Sequence, residues 1–387
     1  MKRKYTILLS LAILLIAGVV AWIIFLTEPT AQREAATRQT AMLVKTISVE
    51  KGSYQPAFQA LGTVRPAKEI ILSPRVSGEI IELSKNFVPG GHVKKGEKLI
   101  QIDPSDYQNT IQQRKSEIEQ AKADLNMEMG RQRVAQKDYE LSEQTLTGAE
   151  KALVLRKPQL NTARAQVRSA EAALEQARLD LQRTTIVAPF DAHIVAREVN
   201  LGSQVSRGQT LAQLVGLENY WVEATLPLSK MQWITFPEND KSAGASVEIR
   251  NRTAWSPEIF REGRVFRMIG SLEDQTRLAR FLIEVENPLS KKPPLMLGEF
   301  VENTIKGDSI SDVVKLNRDY VRKNNTVWVM ENDKLAIRDV QIIVKDATHA
   351  YIEKGLNDGD SVVVTNLSTV SDGAPLRLES DTATSKQ

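Results

Sequence analysis

A chain of 387 residues has room for several small domains around separate cores. With 26% charged residues and a formal net charge of +3, it carries no excess of one sign to draw it to nucleic acid, and no Lys/Arg cluster with interleaved aromatics appears. Cysteine is absent, which excludes a disulfide framework, a thiolate metal site and a lipid-bearing N-terminal cysteine.

Lys2, Arg3 and Lys4 precede an uncharged run from Tyr5 to Leu26, YTILLSLAILLIAGVVAWIIFL. At about 1.5 Å per residue this run spans roughly 33 Å as a helix, enough to cross a bilayer. A cleavable signal peptide has a shorter apolar core, about 7 to 15 residues, followed by a small-x-small site, so a retained anchor is expected over residues 1–26. The basic flank predicts a cytoplasmic stub with the remainder sent across. In a double-membraned bacterium that is a single-pass inner-membrane protein with its bulk in the periplasm. Residues 27–44, TEPTAQREAATRQTAMLV, read as a polar tether, and residues 45–68 as strands lent to later domains.

The stretch VPGGHVKKGEKLIQID, Val88 to Asp103, returns in looser spelling as NLGSQVSRGQTLAQLVG, Asn200 to Gly216. Gly90, Val93, Gly96 and Leu99 match Gly202, Val205, Gly208 and Leu211, every pair offset by the same 112 positions. Upstream of each stands a second shared phrase, LSPRVSGEII from Leu72 and VAPFDAHIV from Val187, in which X-Pro forces an extended entry. Each copy, 69–103 and 184–218, therefore reads as strand, turn, strand, glycine turn, strand. Gly78, Gly90, Gly96, Gly202 and Gly208 take the turns.

Between the copies, residues 104–183 change to Gln, Glu, Lys, Arg, Ala and Leu, with few glycines or prolines. One seven-residue ladder runs through Ile111, Ile118, Leu125, Gln132, Tyr139 and Leu146, and a second through Leu153, Leu160, Val167, Leu174 and Leu181. Ala163, Ala170 and Ala177 take the companion seam position three residues on, the heptad pattern of a coiled coil. Asp103 is the expected N-cap, with Pro104 in the first helical position. The reversal falls at LTGAEKA, where Gly148 breaks the helix and Thr147 with Glu150 makes a capping box for its return. Two antiparallel helices of about 40 residues would each be roughly 60 Å long. Gly130 weakens the first by about 1 kcal/mol, and Pro158 kinks or restarts the second. The repeat thus has a use: a hairpin whose ends emerge side by side needs a base closed by paired halves.

Beyond Gly216 the pattern turns to period-two strands, YWVEATLPL and RFLIEVENP, with Phe281, Ile283 and Val285 the plainest alternation and Gly298 a turn. Residues 219–307 suit a small barrel. Residues 308–379 read as a second β-domain, with a hairpin turning at Asn332 and Asp333 in NTVWVMENDKLAIRDVQII, and residues 380–387 as a polar tail.

Taken together, the anchor, the two half-lipoyl motifs (SPRVSGEI with GGHVKKGEKL, APFDAHIV with GSQVSRGQTL), the hairpin between them, GRVFRMIGSLEDQTR, LMLGEFV and GLNDGDSVVV resemble the periplasmic adaptors, or membrane fusion proteins, of the HlyD-like family. The resemblance covers nearly all of the chain, and the nearest group is the one serving resistance-nodulation-division pumps. It implies a mainly β fold with a long α-helical coiled-coil hairpin, an N-terminal transmembrane helix, a half-lipoyl pair, a small β-barrel and a membrane-proximal β-domain. It implies as partners an inner-membrane proton-driven transporter, an outer-membrane channel protein and further copies of the chain in a ring, usually a hexamer. The cargo would be drugs or other small amphiphiles. An adaptor for an ATP-driven (ABC-type) exporter is the alternative. In the family the hairpin tip meets the channel, which here implies Lys137, Leu141, Thr145, Leu146, Thr147 and Gly148. The tip pattern of Arg, Leu four residues on and Ser seven further is not matched: Lys137 and Leu141 keep the first spacing, but Gly148 holds the third place.

Chemistry finds little footing. A swinging-arm carrier needs a lysine on the hairpin joining two lipoyl halves, a place filled here by the helical insert. His92, His193 and His349 show no metal-ligand spacing, and the neighbouring Glu273 and Asp274 read as a solvated turn. No phosphate loop or nucleophile elbow is present, so neither an enzyme nor a cofactor is expected.

Overall fold

The computed structural model describes residues 2–26, 41–142, 146–239, 242–367 and 370–379. The expectations for a tether over 27–40, for Thr145 at the tip and for the tail 380–387 lie outside the described residues. Contacts divide the chain into one unit of Met1–Gly52, Val313–Ile343 and Ala350–Gln387 and another of Ser53–Asp312 and Val344–His349. Helix α1 (Lys2–Leu26) is, among the described residues, the helix long and apolar enough to cross a membrane, and its apolar side chains are exposed.

The first unit begins with β1 (Met42–Val44), β2 (Thr46–Ser48) and β3 (Lys51–Tyr54), the last of which leads into the second unit. Strand β1 corrects the reading of 27–44 as tether throughout. Val44 is fully buried among Trp328, Leu335, Val363 and Leu376, an apolar partner set that the polar local sequence does not announce.

In the second unit, β4 (Ala57–Pro66) is followed by the repeat. Copy one supplies β5 (Glu69–Leu72), β6 (Gly78–Leu83), β7 (His92–Val93) and β8 (Lys98–Ile102). Copy two supplies β9 (Thr185–Val187), β10 (Ala192–Arg197), β11 (Gln204–Val205) and β12 (Ala212–Gly216). The copies exchange strands: one sheet runs β5-β12-β10-β7, the other β11-β6-β8-β9, so each has a central pair from one copy and both edges from the other. Ile80, Leu99, Ile100, Ile102, Ile194, Leu211 and Leu214 are fully buried in their shared core. Neither copy covers its own apolar face, and each does so for its sister.

The barrel closes in the order β13-β16-β15-β14-β17-β4, from β13 (Asn219–Leu226), β14 (Ser246–Arg250), β15 (Arg261–Leu272), β16 (Ala279–Glu286) and β17 (Phe300–Lys306). Alternation sends Tyr220, Val222 and Ala224 of β13 and Phe281, Ile283 and Val285 of β16 inward. The sixth strand comes from before the repeat: β4 seats between β13 and β17. Gly62 permits this approach, since a Cβ there would lie 2.7 Å from the carbonyl oxygen of Glu223.

The chain then runs through β18 (Ile310–Asn317), β19 (Val321–Arg322), β20 (Thr326–Glu331), β21 (Lys334–Asp339), β22 (Gln341–Lys345), β23 (His349–Lys354), β24 (Ser361–Val363) and β25 (Leu376–Leu378). Strands β20 and β21 pair with Glu331 opposite Lys334, leaving a two-residue loop of Asn332 and Asp333 with φ of 49° and 61°. That is the left-handed pair a tight hairpin needs. Within the first unit, β2 pairs with β24 and β1 with β25, so strands from both ends of the sequence share one core.

Candidate functional site: the helical hairpin and its lipoyl base

Between β8 and β9 stand α2 (Ser105–Leu141), α3 (Gly148–Val154) and α4 (Lys157–Gln182). Asp103 Oδ1 accepts the Ser105 N–H at 3.0 Å and the Ser105 hydroxyl at 2.7 Å, bonds that hold its carboxyl below the usual range. Pro104 is already helical in φ and ψ, and its carbonyl accepts the Gln108 N–H. At the other end, the buried Thr184 donates its hydroxyl to the Leu181 carbonyl, while its own carbonyl accepts the Ile102 N–H at 2.8 Å. The two helices therefore leave a base in which the halves are already hydrogen-bonded to each other. Tyr107 adds a bond from its hydroxyl to the Ser77 carbonyl at 2.6 Å.

The seam between α2 and α4 buries Ile118 and Ala121 against Val167, Ala170 and Leu174, with Ile111 and Leu125 half-buried beside them. Leu160 and Ala177 are buried as well, and Leu181 is half-buried near the base. Tyr139 is half-buried, with the Lys151 ammonium 5.1 Å from its ring centroid. Leu153 departs from the expected ladder: it is 59% exposed. The cause is local, because α3 ends at Val154 and Arg156 adopts a left-handed φ of 50°, so the helical register is lost before Leu160. Pro158 takes the second position of α4, where its missing N–H costs no helical bond; it restarts the helix rather than kinking it. The Thr147–Glu150 capping box is also corrected. Thr147 holds the N-cap position without a side-chain bond, and Gly148 behind it has a φ of 55° that turns the chain away from regular cap geometry.

The break is occupied by a pair the ladders did not reveal. Glu128 lies in the seam, three residues past Leu125, and accepts two bonds from Arg156, Nε at 2.7 Å and Nη2 at 3.1 Å. Arg156, with a weaker contribution from Arg131, holds the Glu128 carboxyl below its ordinary value of 4.5. The folded value being depressed, the pair stabilises the hairpin fully above that pH and its contribution is lost as pH falls through the folded value. Glu128→Gln removes this pH dependence. Its expected result is faster amide exchange in residues 146–160 at pH 7, with exchange in 105–118 unchanged.

At the tip, Lys137 and Leu141 sit one turn apart near the end of α2, both exposed, and Thr147 and Gly148 are exposed at the start of α3. Leu146 is half-buried. At the base, Gly90 and Gly202 have φ of 83° and 79°, and Gly96 and Gly208 have 80° and 83°. Their bonds repeat too: the Gly90 N–H donates to the Ile194 carbonyl and the Gly202 N–H to that of Ile80, each at 2.8 Å. Gly78, with a φ of 153°, leaves room for Ile102, whose Cγ2 would lie 2.6 Å from an added Cβ. Among the described residues no group of three or more His, Asp or Glu side chains is placed to hold a metal ion.

Two half-motifs that exchange strands and carry a helical hairpin between them form a barrel-sandwich hybrid. The family model described as the RND membrane fusion protein barrel-sandwich hybrid domain matches residues 68–217. Over those residues the chain is similar to membrane fusion proteins of the resistance-nodulation-division type. Among its relatives, the multidrug resistance protein MdtA of Pantoea ananatis is 24% identical over 343 residues, 87% of this chain and 80% of the relative. MdtA of Photorhabdus laumondii is 23% identical over 97% of this chain and 94% of its own length. The fold is shared with the crystal structure of MacA from Actinobacillus actinomycetemcomitans, at a TM-score of 0.59 and 20% identity over 83% of this chain and 99% of that one. A MacA-MexA chimera carrying the Pseudomonas aeruginosa MexA α-hairpin matches at a TM-score of 0.54 and 23% identity over 82% and 99%.

Proposed function

We propose that the protein is a non-enzymatic periplasmic adaptor, held in the inner membrane by α1, that bridges a proton-driven efflux pump and an outer-membrane channel for the export of drugs or other small amphiphiles. The observation that carries this reading is the hairpin sealed at its base by both half-lipoyl copies, on a chain that also carries a membrane-length helix at Lys2–Leu26. The names of the relatives supply the cargo class, and the family model favours the proton-driven pump over the ATP-driven exporter. In this reading residues 69–103 and 184–218 are the half-lipoyl pair, 104–183 the coiled-coil hairpin, 219–307 with β4 the barrel, and 308–379 the membrane-proximal domain. Copies assemble as a hexameric ring. The tip residues Lys137, Leu141 and Thr145 to Gly148 meet the channel.

Gentle crosslinking in native membranes, mild solubilisation and mass spectrometry test the reading directly. The expected partner is a large polytopic pump of the resistance-nodulation-division type. Recovery of a nucleotide-binding transporter in its place would transfer the energy source to ATP and overturn the proposal.

A further inference from the structure

Sequence spacing hides one constellation that folding assembles. His92 on β7 and His193 on β10 stand directly opposite each other across an antiparallel pair. The Ile194 N–H donates to the Gly91 carbonyl at 2.9 Å, which makes the two histidines a non-hydrogen-bonded pair, the kind in which facing side chains come closest. Their ring centroids are 5.4 Å apart with the planes tilted by 39°. Two imidazoles on one tetrahedral metal, each with a metal–nitrogen bond of about 2.0 Å, place their centroids about 5 Å apart. The separation found without any metal is already close to that value.

Packing does not require histidine at either place. Ala192 and Ile194 turn inward to the lipoyl core, so His193 between them faces the outer side, in a row that runs Glu69, Val215, His193, His92 across the sheet. The repeat provides an internal control. The corresponding pair in the sister sheet is Gln204 opposite Glu79, an ordinary polar pair in the same geometry. His92 is exposed, while His193 is half-buried and its Nδ1 is shielded from solvent without a hydrogen-bond partner among the described residues. Burial, followed by the neighbouring His92, pushes the His193 imidazole below its usual value, which favours the neutral form that ligates metals.

We propose that His92 and His193 form a two-imidazole site for a borderline divalent transition metal, Cu2+ or Zn2+, on the outer face of the lipoyl domain. Imidazole suits these ions. With two protein ligands the remaining positions are taken by water, so the metal exchanges with its surroundings. The site also joins an edge strand of the first repeat copy to a central strand of the second, and a bound ion therefore staples the two halves together.

The test uses the full chain in detergent, without a polyhistidine tag, stripped of metal and titrated with Cu2+ and separately with Zn2+. The expected result is one equivalent bound, a Cu2+ electron paramagnetic resonance spectrum with coupling to two imidazole nitrogens, and a thermal midpoint that rises with added metal. His92→Gln and His193→Gln should each weaken binding by about tenfold or more and cancel the midpoint shift, with His349→Gln behaving as wild type. His92 is exposed, so its variant tests the site even if His193→Gln misfolds. Absence of saturable binding, or binding and a midpoint shift that survive His92→Gln, would overturn the proposal.

Discussion

Leu174→Asp is expected to abolish export while leaving the protein in the membrane at normal abundance. Leu174 is 8% exposed and packs within the cluster of Ile118, Ala121, Val167 and Ala170 that holds α2 to α4. A carboxylate there loses the apolar contacts and is taken out of water in the seam, while the basic side chains that flank the position, Lys115, Lys122 and Arg178, are exposed and screened by solvent, so a cost of up to several kcal/mol is expected. The membrane anchor and the barrel do not depend on this seam for their cores, so in the folded protein the lost packing is that of the hairpin. Circular dichroism should show reduced helix content, and a drug-susceptibility assay in cells lacking the native adaptor should match that of the empty strain. Leu174→Met, which preserves volume and polarity, should export normally. If Leu174→Asp exported at the wild-type level, a stiff seam would have no part in the mechanism.

The second large effect concerns the base. Leu214→Ala, in the central pair of the first lipoyl sheet, removes a fully buried side chain and should cost about 2–5 kcal/mol in the unfolding of that domain. Leu201→Ala offers the contrast. Leu201 lies next to a repeat glycine with 64% of its surface exposed, and its truncation should leave the thermal midpoint nearly unchanged. Midpoints for both variants against wild type decide the matter. A large loss at Leu201 together with none at Leu214 would mean that the strand-exchanged core does not hold the base.

Much of this architecture could be read from the residues. Glycine frames that recur at a fixed step mark positions of positive φ, and a position of positive φ is a property of the backbone that survives into the fold. The leucines and valine at 160, 167 and 174 lie in the seam for an equally local reason, since period seven on one helix fixes which side faces a partner. What periodicity does not report is what the partner supplies. Glu128 takes a seam position with a charge, and only the left-handed turn at Arg156, many residues away, makes that position tolerable. The same turn exposes Leu153, which a ladder continued without interruption would bury. Val44 and the His92–His193 pair were hidden because each depends on a strand remote in sequence. Local patterns carry the elements here, and long-range pairings carry the exceptions.

The strand exchange within the lipoyl base has a consequence for how the chain reaches its native state. Strands that must meet, such as β6 with β11 or β5 with β12, are separated by the entire helical insert, and joining them through a flexible loop of that length would be slow. The insert is not flexible. Its helices are held by local bonds, and once the seam between them has closed, Ile102 and Thr184 stand within one hydrogen bond of each other. The hairpin is therefore expected to act as a splint in folding, turning a distant encounter into a near one before the sheets assemble. A seam variant should then delay formation of the lipoyl core even though no residue of that core has changed, and the order of events would run from the tip of the hairpin back to its base.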